Sequence, residues 1–137
     1  MDKQEFLTYL PEQTSGIFAT VRDDGTPDGR GFQFQYEEDG RFYFATANTK
    51  DVWKQLCRDF KAAFIYMEPT GKYTLRIIGP VTQITDPEEK QAVFAKIAPG
   101  VQHMYGSWDN PVFELIYFDK PELRFAKGFH DAEYVEA

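Results

Sequence analysis

Cysteine is almost missing from this chain: Cys57 stands alone among 137 residues, so no intrachain disulfide can form. His103 and His130 are the only histidines, and one Cys with two His cannot build a zinc cluster. Long apolar runs are also missing. The longest, Ala62 to Met67, is far below the roughly 20 residues a membrane-spanning helix needs. The opening residues, Met1-Asp2-Lys3-Gln4-Glu5, lack the apolar stretch of a secretory signal, so the expected setting is soluble and cytoplasmic. Positive charge is scarce: 15 basic residues face 22 acidic ones, for a formal net charge of -7, and no basic run exists. That excludes a general binder of nucleic-acid backbones, although a local site for a small anion can still oppose the net charge. Ser15 and Ser107 are the only serines, and neither sits in a nucleophile elbow.

Aromatic residues are what the chain has in excess, at 17% with 13 Phe and 8 Tyr. Hydrophobic and charged fractions of 42% and 27% are those of a globular protein. The length suits one domain, residues 1–137, with a core that needs no cross-links.

Periodicity organises the rest. A short helix is expected over residues 2–10, ending before Pro11. Gly16 to Arg22, Arg30 to Glu38 and Arg41 to Ala47 read as three strands, joined at Asp23–Pro27 and at Asp39-Gly40. In the second of these, Phe32, Phe34 and Tyr36 alternate with Gln33 and Gln35, which places the amides opposite the rings. The period changes to helical at Val52, Trp53, Leu56 and Cys57, with Asn48 or Thr49 as the expected cap and Cys57 as a buried filler. Ala62 to Glu68 and Tyr73 to Thr85 return to strand, the latter bent at Gly79-Pro80. Asp86-Pro87-Glu88-Glu89 opens a helix, and Pro99-Gly100 is expected to stop it, leaving 101–111 irregular. Val112 to Phe118 and Leu123 to Phe129 complete six to seven strands with about three helices. Hairpin-length connections and few helices point to a mainly β fold, a closed or nearly closed antiparallel barrel.

Chemistry concentrates where the third strand gives way to a helix, at Tyr43-Phe44-Ala45-Thr46-Ala47-Asn48-Thr49-Lys50. Backbone N–H groups at a helix start favour an anion, and Thr49 and Lys50 add a hydroxyl and a cation there. Two readings fit: a phosphate seat, or a plain helix start with a solvated lysine. Arg30 opens a strand and is either a second phosphate ligand or an exposed strand-end arginine. Gln33 and Gln35 suit a heterocycle or water. Trp108 suits a cover for a planar ligand or a plug for a barrel end.

The order of these motifs resembles the pyridoxamine 5'-phosphate oxidase-like family of FMN-binding split barrels. The resemblance rests on Gly16–Val21, Gly25-Thr26-Pro27, Arg30–Phe34, Phe42-Tyr43-Phe44 running into Asn48-Thr49-Lys50, Leu75–Val81, Tyr105–Trp108 and Leu123–Gly128. It implies a split antiparallel Greek-key barrel and a homodimer with FMN at the subunit interface. Carried over by position, it implies that Arg30 and Lys50 contact the phosphate with Thr49 beside them. The backbone of Gly31, Phe32 and Gln33 would follow the isoalloxazine edge, with Tyr43 and Phe44 beside the cofactor. Thr74 matches a position where oxidases of the family often carry glutamine, and Trp108, Phe125 and Lys127 would approach from the second subunit. The family's pyridoxamine phosphate oxidases are longer and end in an arginine–histidine substrate motif. Here residues 129–134 read Phe-His-Asp-Ala-Glu-Tyr. The resemblance is therefore to the short, general-stress and nitroimidazole-resistance branch. It implies a flavin-dependent oxidoreductase taking electrons from a reduced nicotinamide and passing them to a small acceptor. Two alternatives stand beside it: a flavin carrier or redox sensor without turnover, and a haem-binding barrel using His103 or His130.

Overall fold

The computed structural model describes residues 1–136. Eight strands and four helices follow the order α1 (Lys3–Thr8), β1 (Ser15–Val21), β2 (Pro27–Glu38), β3 (Arg41–Ala47), α2 (Asp51–Asp59), β4 (Lys61–Met67), β5 (Tyr73–Gln83), α3 (Pro87–Phe94), α4 (Pro99–Tyr105), β6 (Phe113–Asp119), β7 (Glu122–Lys127) and β8 (Glu133–Tyr134). The neighbours run β4-β1-β2-β3-β6-β5, and β4 pairs back to β5, so these six antiparallel strands close a barrel. The order β4-β1-β2-β3 is a Greek key, made when the chain crosses from β3 to β4 through α2.

Two hairpin turns lie where the sequence places them. Asp39 and Gly40 both adopt positive φ, at 53° and 84°, as a tight two-residue turn requires. Strand β5 turns its corner at Gly79-Pro80, where Gly79 has φ 153°. Up to Pro80 it pairs with β4 and, to Ile78, with β7; from Val81 it pairs with β6. Because β6 and β7 both run antiparallel along β5, residues 119–121 are an in-line jog and not a hairpin. Lys120, at φ 47°, makes the jog. Strand β8 then takes the outer edge of β7.

The aromatic excess fills the barrel. Phe18, Phe32, Phe34, Phe42, Phe44, Phe64 and Phe118 form its centre, with Phe18 stacked on Phe32 at 4.4 Å. Helix α1 adds Phe6, and α2 adds Val52 and Leu56. A second cluster lies outside, where α3 and α4 cover the backs of β3 and β6: Tyr43, Val93, Ile97, Phe113, Leu115 and Tyr117.

Tyr36 belongs to this outer cluster, not to the inner row of Phe32 and Phe34. A bulge shifts the register between Phe34 and Tyr36, so that Phe34 faces Phe44 but Tyr36 faces Tyr43. The extra residue is Gln35. It is 3% exposed, and its Oε1 accepts the Ala98 N–H at 2.9 Å. Ala98 is the cap of α4, the helix that occupies part of the stretch expected to be irregular. Pro99 is the first residue of α4 and not a stop, because proline's missing N–H costs nothing in a first turn. No helix among the described residues is long and apolar enough to cross a membrane.

Candidate functional site

Strand β2 leaves the barrel mouth beside the start of α2, and a cleft of about 310 Å³ opens between them. Asp28, Gly29 and Arg30 line one side, and Lys50, Asp51 and Val52 the other. The sequence-predicted pair Arg30 and Lys50 is thus brought together across 20 residues of chain. Lys50 caps α2 in an extended conformation with no side-chain cap bond. The expected caps serve otherwise: Asn48 Nδ2 donates to Pro111 O and to Glu114 Oε2, both at 2.8 Å, and Thr49 is exposed. The first N–H groups of α2 therefore keep their capacity for an acceptor in the cleft.

Arg30 is fixed by the barrel. Its Nη1 donates to Phe18 O at 3.1 Å and to Thr20 Oγ1 at 2.6 Å, and its Nη2 donates to Gln55 Oε1 at 3.1 Å. Asp28 Oδ2 lies 3.3 Å from the same Nη2. Three of the five guanidinium donors are engaged in these bonds and a fourth faces Asp28, which leaves the Nε–H for an anion. Asp28 also accepts from Gln55 Nε2 and Arg22 Nε, both at 3.2 Å. The Gln55 bond above all, then that of Arg22 and the Gly29 N–H, holds its carboxyl below the usual range.

Next to the cleft, the outward face of β2 is bare. Gly29 and Gly31 point out of the barrel; a Cβ built at Gly31 would meet nothing within 4 Å, whereas one at Gly29 would meet Ile17 Cγ2 at 3.0 Å. Phe32 turns its ring inward onto Phe18, so only its main chain borders this strip. Gln33 is half-buried and takes a bond from Gln35 Nε2 at 3.2 Å. Thr74 lies on the outward face of β5, facing Met67 on one side and Ala126 on the other.

Other predicted residues lie elsewhere. The Phe44 ring is wholly inside the barrel, and the Tyr43 ring is stacked at 4.6 Å on Tyr36 in the outer cluster. Neither ring faces the Arg30 cleft, and neither residue lines it. Burial raises the Tyr43 hydroxyl's pKa, against the pull of Arg41. Phe125 and Lys127 line a different cavity of about 380 Å³, with Tyr9, His130 and Tyr134. Trp108 is half-buried in the turn after α4. Cys57 is exposed, not the buried filler its spacing suggested, because α2 seats Val52 and Leu56 and leaves the position after Leu56 outside. The residues the sequence reading missed are Thr20, Asp28 and Gln55. Gln55 follows Lys50 by five positions on the same helix, but nothing in its own spacing marks it as a partner of β1 and β2.

A further surface is uncovered. On the side of the barrel away from α3 and α4, Ile17 is 48% and Met67 56% exposed, and Val21 is 36% exposed four residues further along β1. Ala19, Ala63, Ile65 and Ile78 continue this apolar face at half burial.

Comparison with known proteins gives a consistent picture. The family model described as pyridoxamine 5'-phosphate oxidase matches residues 2–119. A pyridoxine/pyridoxamine 5'-phosphate oxidase of Bradyrhizobium is 34% identical over 100 residues, 72% of this chain; the chain spans only 44% of that relative's length. Among solved structures, a NimC/NimA family protein of Clostridium acetobutylicum superposes with TM-score 0.79 at 26% identity, over 96% of this chain and 90% of that one. A pyridoxamine 5'-phosphate oxidase-related, FMN-binding protein of Nostoc punctiforme gives 0.68 at 15% identity, over 95% and 91%. A haem-binding protein of Mycobacterium smegmatis gives 0.73 at 15%, over 91% of this chain and 53% of that one.

Proposed function

The chain belongs to the pyridoxamine 5'-phosphate oxidase family, and on that premise we propose that it binds FMN and works as a flavin-dependent oxidoreductase. One observation carries the proposal: Arg30, Lys50 and the start of α2 line a single cleft that opens beside a strip of β2 without side chains. An anion seat next to a bare, flat stretch of backbone suits a phosphate joined to a planar ring system. Arg30 and Lys50 would hold the phosphate with Thr49 nearby, and the main chain at Gly31, Phe32 and Gln33 would border the ring. Asp28 and Asp51 line the same cleft, so its two cations face two acids. That balance favours one phosphate over two, hence FMN over FAD.

The cofactor's other side would come from a second copy. The apolar face around Ile17, Ile65 and Met67 adjoins the glycine strip, because β1 pairs with both β2 and β4. A homodimer formed there would cover it, and Trp108, Phe125 and Lys127 of the second copy would complete the pocket. When bound, a flavin supplies hydride and electron transfer between a reduced nicotinamide and a small acceptor. This chain's residues bind the phosphate, border the ring and, through the dimer, exclude water. The test is anaerobic addition of NADH or NADPH to the FMN-loaded protein. Bleaching of the flavin band is expected, and reoxidation by an added acceptor completes the cycle. A band unchanged by either nicotinamide would leave a flavin carrier or sensor.

A haem reading has one observation of its own, that His130 lines the 380 Å³ cavity with Tyr9, Phe125 and Tyr134. Added haemin giving a Soret band that is lost in His130→Ala would support it. His103 is exposed on α4.

A further inference from the structure

The geometry points to Gln55 as the residue that positions Arg30 and sets the spacing of the anion seat; the inference rests on the phosphate-binding reading above. Gln55 lies on α2, the helix whose cap is Lys50. Its side chain reaches three groups on the barrel. Gln55 Oε1 accepts from Thr20 Oγ1 at 2.5 Å and from Arg30 Nη2 at 3.1 Å. Its Nε2 donates to Asp28 Oδ2 at 3.2 Å. One amide thus joins α2 to both β1 and β2, and no other side-chain bond in this network links α2 to Arg30.

Two consequences follow from the amide's polarity. An acceptor must face Arg30 and Thr20 while a donor faces Asp28, and only an amide offers both from a neutral group. A carboxylate at 55 would suit Arg30 and Thr20 but would set two acids against each other at Asp28. An alkyl group would leave the Thr20 hydroxyl, 3% exposed, with fewer partners and let Arg30 turn toward Asp28. The alkyl group leaves the distance between the Arg30 guanidinium and the α2 start unfixed, while the carboxylate keeps its hold on Arg30 but pushes Asp28 away and adds a negative charge beside the anion seat; an oriented guanidinium is what gives an arginine its grip on phosphate. Gln55 touches no ligand in this scheme and acts through Arg30.

The chemistry provides its own reversal. With glutamate at 55 and asparagine at 28, the donor and acceptor trade places across the contact between residues 55 and 28, and the number of charges is unchanged; the glutamate takes over the pairing with Arg30, and the exposed Arg22 loses its acceptor. The experiment titrates wild type, Gln55→Leu, Gln55→Glu and the pair Gln55→Glu/Asp28→Asn with FMN and, separately, with riboflavin. Flavin fluorescence gives the affinities, and thermal melts of the same samples report folding. Both single variants should weaken FMN by about tenfold or more. Riboflavin, which has no phosphate, should be bound as by wild type, and the paired variant should recover most of the FMN affinity. Equal losses for both flavins, tracking a fall in Tm, would mean that Gln55 only holds α2 in place and would overturn the inference. So would unchanged FMN affinity in the single variants, or no recovery in a paired variant that melts like wild type. If wild type itself binds neither flavin, the FMN reading falls first and this inference falls with it.

Discussion

Arg30 and Lys50 are adjacent in space because α2 begins where β3 ends and β2 runs past that point. Arg30→Ala and Lys50→Ala should each weaken FMN by about 1.5–3 kcal/mol, the worth of a charged hydrogen bond, with little change in Tm for the exposed Lys50. Fluorescence titration checks this, and unchanged affinity in both variants would remove the phosphate seat. Asp28 makes a prediction in pH. Its folded pKa lies below the ordinary value of 3.8, so its stabilising contribution is complete above that value and is lost as pH falls through the lower, folded one. The stability gap between wild type and Asp28→Asn should therefore be constant across neutral pH and close in acid, as read by denaturant titrations at several pH values. A gap that widened on acidification would contradict the assignment. At this scale the sequence showed the two cations but not their supports. Thr20, Asp28 and Gln55 are ordinary polar residues until the barrel brings β1, β2 and α2 together.

Elements were legible where one physical rule decided them. Strand β3 occupies Arg41–Ala47, the bounds read from the sequence, and Asp86 caps α3 by accepting the Glu89 N–H at 2.9 Å. They were illegible where two rules competed. Pro99-Gly100 reads as a stop because both residues break helices, yet proline is equally at home in a first turn, and Gln35 supplies the acceptor that starts α4. The bulge at Gln35 also breaks the apparent alternation of Phe32, Phe34 and Tyr36, which no local pattern announces. Gln35→Leu would strand the Ala98 N–H in a buried site and should cost about 1–3 kcal/mol of stability by chemical denaturation, with FMN affinity unaffected. Strand β2 carries the opposite prediction. Gly31→Val adds a side chain where nothing lies within 4 Å and favours strand, so the fold should be kept or strengthened. The same side chain occupies the bare strip, so FMN binding should be lost. A Gly31→Val protein that folds and still binds FMN as wild type would place the ring elsewhere.

The molecule as a whole has two unlike sides. Helices α3 and α4 bury the backs of β3 and β6, while Ile17, Val21 and Met67 on β1 and β4 have no cover. Such a face on a chain with a net charge of -7 suits a second copy more than a nucleic acid. Sedimentation should show a dimer, and Ile17→Asp should yield a monomer with weakened FMN binding; a monomeric wild type that holds FMN would contradict the shared pocket. The antiparallel barrel was legible from hairpin spacing, and its Greek-key order through the family resemblance. The pairings that close it, β1 with β4 and β5 with β6, and the in-line passage from β6 to β7 depend on contacts distant in sequence. Whether this barrel carries FMN is read from the visible absorption spectrum of the freshly purified protein, with the released cofactor identified by mass. An oxidised-flavin spectrum with the mass of FMN is expected, or its appearance when FMN is added to a colourless preparation. A Soret band, or a protein that stays colourless and takes up no FMN, would contradict the FMN reading.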